Sequence, residues 1–509
     1  MAVTLTSTNG AHGADGANDH ARNHGHHGND DYLRVVGSDI TLNGKPILLK
    51  GASLGGWMLM ENFMNGFAGH EYQARSELRK TLGQDKYEYY FDKFLEYYFT
   101  EADAKFLASI GFNCIRVAVN YRHFEDDMNP RVFKKSGLKH LDRVVDLCAA
   151  HGIYTVIDLH ALPGGQNIDW HSDNGTHQAL FWEHKDFQDR AVWLWEILAE
   201  HFKDNTWVAG YNPMNEPTDI EHERLQAFYV RIEKAIRAVD PNHILFLDGK
   251  LGVVPALTVR CSSFGYDFSH FKVALPNCVY SCHDYSIYGF PAAPTLYTYT
   301  RRVDAWRGAL IKQTPIWNSE FGPTYNTPED GPDWEMINHA RYEVLKLQLG
   351  INRDHNASYS LWTYKDIGVM GMVYPKSDSP YLSLLNPFLD KKKTLSADGW
   401  GFNEAPVKHI FGPLEKWLEE NIPSLEKKYP PTWKIKKHVL RMVRGLLLSE
   451  ELVKEYASYF EGLDYDQLDA LAKSFHFGKY IMRSIAEADN CVQRDQLVRI
   501  MAEDALATR

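Results

Sequence analysis

Short apolar runs alternate with amphipathic stretches along most of the chain. The run Phe112–Val119 predicts a strand, and the segment after it places Leu138, Leu141 and Val145 on one face of a helix. Helical patterns of the same kind cover 186–203 and 223–238. The eight predicted strands are Ile47–Leu54, Phe112–Val119, Tyr154–His160, Val208–Met214, His243–Leu247, Cys278–His283, Pro315–Glu320 and Ala357–Trp362. Eight βα repeats predict an α/β fold, a (β/α)8 TIM barrel with its chemistry at the C-terminal ends of the strands.

The two ends of the chain have different patterns. Residues 1–31 are rich in Gly, Asn, Asp and His and carry almost no large apolar side chains, so we expect disorder there. An Asn43-Gly44 step between apolar residues predicts an N-terminal hairpin. Prolines after residue 422 end the barrel pattern, and residues 423–509 predict a helical C-terminal extension. The predicted division is a tail at 1–31, a barrel at 32–422 and the extension at 423–509.

Composition narrows the class of protein. The 509 residues include 55 Lys+Arg and 66 Asp+Glu, a net charge of −11, which argues against nucleic acid as a partner. No apolar run approaches the roughly 18–20 residues of a transmembrane segment. The start of the chain lacks the features of a signal peptide, so we expect a cytoplasmic location, with unconventional secretion left open. The six cysteines predict buried thiols rather than a disulfide framework, and the oligomeric state stays open.

Polar side chains stand where the predicted strands end. Asn215 and Glu216 follow the fourth strand, and Glu320 ends the seventh. Because the strand ends of a barrel meet at one mouth, we expect the two glutamates to face each other. A facing carboxyl pair can cleave a glycosidic bond: a protonated group donates to the leaving oxygen, and an ionised group attacks the anomeric carbon or activates water. The acid needs an apolar or anionic setting, and the neighbours Pro213, Met214 and Pro217 are compatible with such a setting for Glu216.

The order of these polar residues resembles glycoside hydrolase family 5, within the clan of (β/α)8 retaining glycosidases. The resemblance covers roughly residues 35–420 and implies that Glu216 is the general acid/base and Glu320 the nucleophile. The residues that carry it are Arg116, His160, Asn215, Glu216, His283, Tyr285, Glu320 and Trp362.

The same resemblance implies substrate-binding and supporting roles for the remaining members of this set. Asn215 would bind the 2-hydroxyl of the sugar, and Trp362 would form the floor beneath it. Arg116 and Tyr285 would hold Glu320 ionised and correctly aimed, as a guanidinium and a phenol can. His160 and His283 would contact the substrate or the catalytic carboxylates.

Two loops resemble fungal exo-β-1,3-glucanases and the related β-glucosidases and diglycosidases. They are Gly51–Trp57, followed by Glu61, and Asp158–Asn167. In these relatives a Glu at the place of Glu61 binds hydroxyls of the terminal sugar. Arg122 stands where an aromatic residue is usual, which would alter a subsite. Long insertions predict a blocked pocket and exo action; they cover 61–100, 161–190 and 366–400.

These observations predict a retaining exo-β-glycosidase without metal or cofactor, acting on a β-glucoside or a related β-xyloside or diglycoside. An endo-acting β-glucanase is the main alternative and would require an open cleft. A catalytically inactive carbohydrate-binding barrel is a remote alternative, because both glutamates are present. A barrel metallohydrolase would place a His-x-His pair on the first strand, which offers no ligand. The sugar configuration, the linkage and the aglycone stay open.

Overall fold

Eight parallel strands close into a barrel, which confirms the predicted (β/α)8 fold. The computed structural model describes residues 31–219, 223–249, 263–264, 274–285, 314–397, 405–422, 439, 442–478 and 491–507. The predicted tail up to residue 30, Cys261 and most of the segment 423–441 lie outside the described residues.

The strands are β1 (Arg34–Val36), β2 (Asp39–Leu42), β3 (Lys45–Pro46), β4 (Lys50–Met58), β5 (Cys114–Asn120), β6 (Tyr154–Ala161), β7 (Val208–Asn212), β8 (Ile244–Asp248), β9 (Ser263–Phe264), β10 (Cys278–Asp284), β11 (Ile316–Phe321), β12 (Ser358–Leu361), β13 (Val373–Pro375) and β14 (Cys491–Gln493).

Strands β4 to β8 follow one another around the barrel, and β10, β11 and β12 complete it. Every residue of these eight strands is buried, as expected for strands covered by helices on the outside and packed side chains within. The first strand differs from its prediction: it begins at Lys50 and runs through Gly55-Gly56 to Met58. Two adjacent glycines would normally favour the end of a strand at this point. Gly55 is required within the strand because it lies directly against the Trp362 ring, where a side chain would not fit.

Helices surround the barrel and extend from it. They are α1 (Asn62–Asn65), α2 (Glu71–Leu82), α3 (Gln84–Tyr98), α4 (Glu101–Ser109), α5 (Leu138–Ala150), α6 (Lys185–Phe202), α7 (Glu223–Val239), α8 (Trp334–Asp354), α9 (Pro380–Leu395), α10 (Lys408–Asn421), α11 (Ser449–Ser458), α12 (Tyr465–Lys473) and α13 (Asp495–Leu506). Among the described helices, none combines the length and the apolar character that crossing a bilayer requires.

The predicted hairpin is present and covers the N-terminal end of the barrel. Strands β2 and β3 pair antiparallel, with Asn43 and Gly44 at φ of 51° and 74° in the turn between them. Ile40 is buried in a cluster with Leu49, Cys114 and other residues from the starts of the barrel strands. This packing leaves the C-terminal ends of the strands as the mouth of the barrel.

The C-terminal residues pack onto the barrel and share its apolar core. Phe475 packs against Phe94 of α3 with ring centroids 5.1 Å apart, and Asp504 of α13 forms a buried ion pair of 3.1 Å with Lys50. The predicted helical extension over 423–509 also contains a strand that the sequence pattern did not indicate, since β14 pairs antiparallel with β13. Five cysteines are described, and all are free and buried, as predicted.

Candidate active site

Two donors hold the carboxylate of Glu320 at the end of β11. Arg116 Nη1 lies 2.5 Å from Glu320 Oε1, and the Tyr285 hydroxyl donates to Oε2 at 2.8 Å. Glu320 is only 4% exposed, so these contacts replace the water that the charge has lost. Burial lowers the pKa of Arg116, but the nearby carboxylates, above all those of Asp158 and Glu320, outweigh burial and raise it. The guanidinium therefore stays charged and compensates the charge of Glu320.

Arg116 is fixed in turn by residues of the neighbouring strands. Its Nη2 donates to Asn215 Oδ1 at 2.7 Å and to Asn212 Oδ1 at 3.0 Å, and it lies 3.0 Å from Asp158 Oδ2. The strand register explains why Asp158 and Asn212 both reach Arg116, since these two residues are paired across β6 and β7. A guanidinium held on several sides aims Nη1 at a single position, that of Glu320.

Glu216 lies between two imidazoles. His283 Nδ1 is 2.6 Å from Glu216 Oε1, and His171 Nε2 is 3.0 Å from Oε2. The backbone of Glu216 takes a φ of 46°, in the left-handed region that a glutamate rarely adopts, and its N–H donates to Asp248 Oδ2 at 3.0 Å. The strand end is thus turned sharply so that this side chain points into the mouth, where local strain is common at functional positions.

The setting of Glu216 differs from the predicted one, which was apolar or anionic. Burial raises the pKa of Glu216, but the charges and hydrogen bonds of His171 and His283 outweigh burial and lower it to about 2. Burial lowers the pKa of both imidazoles, but the surrounding carboxylates raise that of His171 to about 9 and that of His283 to about 10. The proton that an acid would carry therefore belongs to a group of residues rather than to an isolated carboxyl.

The two glutamates face each other across the barrel mouth. His283 bridges them, with Nδ1 also 3.4 Å from Glu320 Oε2, and one oxygen from each carboxylate lies within 4.8 Å of the other. Two carboxylates and an imidazole at this spacing could hold a cation. We assign no metal here, because Arg116, His171 and His283 already supply positive charge to the same two carboxylates.

The remaining predicted residues form one side of this mouth. Asn215 Nδ2 lies 3.1 Å from His160 Nε2, and His160 Nδ1 contacts Asp158 Oδ2 at 2.7 Å. The His160 ring stacks on Trp362, with centroids 5.1 Å apart and planes 10° from parallel. His160 thus orients Asn215 and Trp362, and within the described residues its ring nitrogens bond to Asp158 and Asn215 rather than to the two glutamates.

Glu61 lies at the start of α1 and meets the loop after β6. Trp170 Nε1 donates to Glu61 Oε2 at 2.6 Å. Burial is the main cause that raises the pKa of Glu61 to about 8, and the charges of Glu320 and Glu216 add to it. Helix α9 supports this segment from behind, because the Lys392 ammonium donates to the backbone oxygens of Asn62, Gly66 and Phe67.

The loop that carries Trp170 contains tight turns and is held in place by contacts with neighbouring side chains. Gly164 and Gly165 take φ of 77° and 70°, and a side chain on Gly164 would collide with Phe187. Arg122, which stands where an aromatic residue is usual, braces this loop: its Nε donates to Asp173 Oδ2 at 2.8 Å, and it also pairs with Asp127.

Sequence reasoning assigned no role in the catalytic site to several residues that contact the predicted set, among them Asp158, Asp248 and His171. Asp158 stands two residues before His160 in β6 and therefore points to the same side of that strand. Asp248 ends β8, so the same strand-end signal that found Glu320 applies to it. His171 lies in an irregular loop, where no periodicity indicates which way a side chain points.

Comparison with known proteins agrees with this geometry. The family model described as "Cellulase (glycosyl hydrolase family 5)" matches residues 82–368, more than half of the chain. The protein therefore belongs to glycoside hydrolase family 5 and is a glycoside hydrolase.

The chain is also similar to individual proteins with named activities. A beta-xylosidase from Phanerodontia chrysosporium is 49% identical over 493 residues, which cover 93% of this chain and 98% of that relative. The protein named "Probable glucan 1,3-beta-glucosidase A" from Aspergillus fumigatus is 26% identical over 213 residues, 40% of this chain and 50% of that relative. The solved structure of AoRut aligns with a TM-score of 0.50 at 18% identity, over 64% of this chain and 91% of that one, which bears on the fold alone.

Proposed function

We propose that this glycoside hydrolase is a retaining, exo-acting β-glycosidase that releases one sugar at a time, with β-xylosides as its first substrate class. The proposal rests on the facing carboxylates of Glu216 and Glu320, which bring one oxygen each within 4.8 Å. Retaining glycosidases place their carboxyl groups about 5–5.5 Å apart, whereas inverting ones need about 6.5–9.5 Å to admit a water. The near full-length similarity to a protein named beta-xylosidase supports the substrate class.

The first step forms a covalent glycosyl-enzyme. Glu320, held by Arg116 and Tyr285, attacks the anomeric carbon while the bond to the leaving oxygen breaks. Glu216 donates a proton to that oxygen, so the aglycone departs as a neutral alcohol. The charge of Glu320 disappears as its ester forms.

The second step releases the sugar. Glu216, now a carboxylate, removes a proton from a water molecule, which attacks the same carbon and returns Glu320 to its ionised form. Two displacements at one carbon restore the original β configuration. Asn215, whose amide is held between Arg116 and His160, would bind a sugar hydroxyl beside the reacting carbon.

The contact between Glu61 and Trp170 supports exo action. These residues come from the segment after β4 and from the loop after β6, and their 2.6 Å hydrogen bond joins the two above the site. Both segments are braced, one by Lys392 and the other by Arg122. A wall on this side would limit the site to the end of a sugar chain, whereas an endo-acting enzyme requires a cleft that is open at both ends.

A product analysis tests this proposal. Purified protein is incubated with xylo-oligosaccharides, a soluble β-1,3-glucan and p-nitrophenyl β-D-xyloside and β-D-glucoside, and the products are separated over time. We expect monosaccharide as the first product, with the β anomer ahead of the α anomer in the proton NMR spectrum. Early oligosaccharides from the interior of the chain would show endo action, and an initial α anomer would show inversion.

A further inference from the structure

The loop after β6 places a second imidazole on the oxygen of Glu216 that His283 does not touch. His171 Nε2 lies 3.0 Å from Glu216 Oε2, whereas His283 contacts Oε1. His171 comes from the turn Trp170–Ser172 within the loop after β6, whereas most other site residues come from the strand ends themselves. Resting on the proposed function, we propose that His171 is a positioning residue for the acid/base: paired with Glu216, it holds the proton that the leaving oxygen receives.

The position of the His171 ring is fixed by its neighbours. Asn167 Nδ2 lies 2.9 Å from His171 Nε2 and donates to the backbone oxygen of Glu216 at 3.1 Å, while Asn167 Oδ1 accepts from Asp169 N. The ring also packs edge-on against His160 and Trp170, with centroids 5.6 and 5.9 Å away. An imidazole at 6% exposure with this many contacts has one orientation, and that orientation aims Nε2 at the acid/base.

The contacts around Nε2 allow the proton to reside on either member of the pair. The carboxylate of Glu216 attracts the proton to Nε2, whereas the Asn167 amide, a donor facing the same nitrogen, favours a free lone pair there. In the first step the proton passes from Nε2 to Oε2 and on to the leaving oxygen, which leaves a neutral imidazole and a carboxylate. In the second step the pair recovers one proton from the attacking water, so the number of protons on the pair is unchanged over a full cycle.

The surrounding charges favour retention of this proton to alkaline pH. The carboxylates of Glu216, Asp169 and Glu61 raise the pKa of His171 to about 9 against the effect of burial. Within the part of the chain that the structure describes, the titratable or charged groups facing the pair are His160, His283, Tyr285, Asp169, Asp248, Glu61 and Glu320. Since the pair titrates as one unit, it retains a proton at a pH where a carboxyl of ordinary pKa would have lost it.

The test measures kcat/KM from pH 4 to pH 10 for wild type, His171→Gln and His171→Phe. Gln offers hydrogen bonds from about the same place but no titratable proton, and Phe keeps only the ring. We expect the alkaline limb to move to lower pH by about one unit or more in both variants. At pH 8 the loss should be about tenfold or more for alkyl glycosides and smaller for p-nitrophenyl glycosides, which need little protonation. Gln178→Ala, an exposed position in the same loop, is the control and should keep the wild-type profile.

Two results would overturn the inference. One is an alkaline limb that stays in place in a folded His171→Gln variant, with the same fractional loss at every pH, which indicates a structural role only. The other is an equal loss for alkyl and aryl glycosides. If wild type itself turned over no β-glycoside, the proposed function would fail, and this outcome is distinct from an unshifted limb in an active enzyme.

Discussion

The buried carboxyl of Glu61 gives the most quantitative prediction, which concerns the variant Glu61→Gln. The pKa of Glu61 rises from 4.5 to about 8, mainly because the group is cut off from water. Between these two values the folded protein keeps a proton that the unfolded chain has released. Stability therefore decreases as pH increases through this window, because unfolding releases a proton. A glutamine has no such proton and can still accept the hydrogen bond from Trp170.

The size of the effect follows from the pKa difference. Each pH unit in which the two states differ by one proton is worth about 1.4 kcal/mol. Between pH 5 and pH 8 this sums to about 3 kcal/mol, after allowance for partial titration at both ends. With an unfolding entropy of about 2 cal/mol/K per residue, a chain of this size has about 1 kcal/mol/K in total, so the shift in Tm is about 3 °C.

The assay is thermal unfolding of wild type and Glu61→Gln at pH 5 and pH 8, with urea midpoints measured in parallel. We expect the Tm of the variant minus that of wild type to be about 3 °C more positive at pH 8 than at pH 5. Glu101→Gln is the control: its pKa is lowered by the hydrogen bond from Lys105, so the group is ionised across the window and the Tm difference should stay constant. A Tm difference for Glu61→Gln that did not change with pH would refute the reasoning.

Three further substitutions test the roles of the site residues. Glu320→Gln should reduce kcat by about 1,000-fold or more, with a circular dichroism spectrum like that of wild type, because the side chain lies at a strand end; substantial turnover would exclude it as the nucleophile. Glu216→Ala should reduce kcat/KM much more for alkyl glycosides than for p-nitrophenyl glycosides, and equal losses would contradict an acid role. Tyr285→Phe removes the 2.8 Å bond to Glu320 and should lower kcat about 10- to 100-fold with KM little changed; an effect on KM alone would place Tyr285 in ground-state binding.

The sequence was most informative where the fold enforces a regular geometry. Arg116, Glu216 and Glu320 could be placed together because barrel strands end at one mouth, and the structure brings them within hydrogen-bonding reach of shared partners. The hairpin at Asn43-Gly44 was predictable because its turn needs two residues in the left-handed region.

Irregular segments and long-range contacts were not predictable in this way. Pro213 and Pro217 beside Glu216 are apolar, but its electrostatic setting comes from His171 and His283, which are distant from it in the chain. The contact between Arg122 and Asp173 was unpredictable for the same reason, because Asp173 lies in a loop without periodicity. The same is true of β14, a three-residue strand that forms because β13 offers it a partner.

Trapping the covalent intermediate tests the central claim most directly. The protein is incubated with an activated 2-deoxy-2-fluoro-β-xyloside, which slows hydrolysis of the glycosyl-enzyme, and is then digested and analysed by mass spectrometry. The proposed mechanism predicts one sugar attached to the peptide that contains Glu320, and no label in Glu320→Gln. A sugar on the Glu216 peptide, or inactivation of the enzyme without any covalent label, would contradict it.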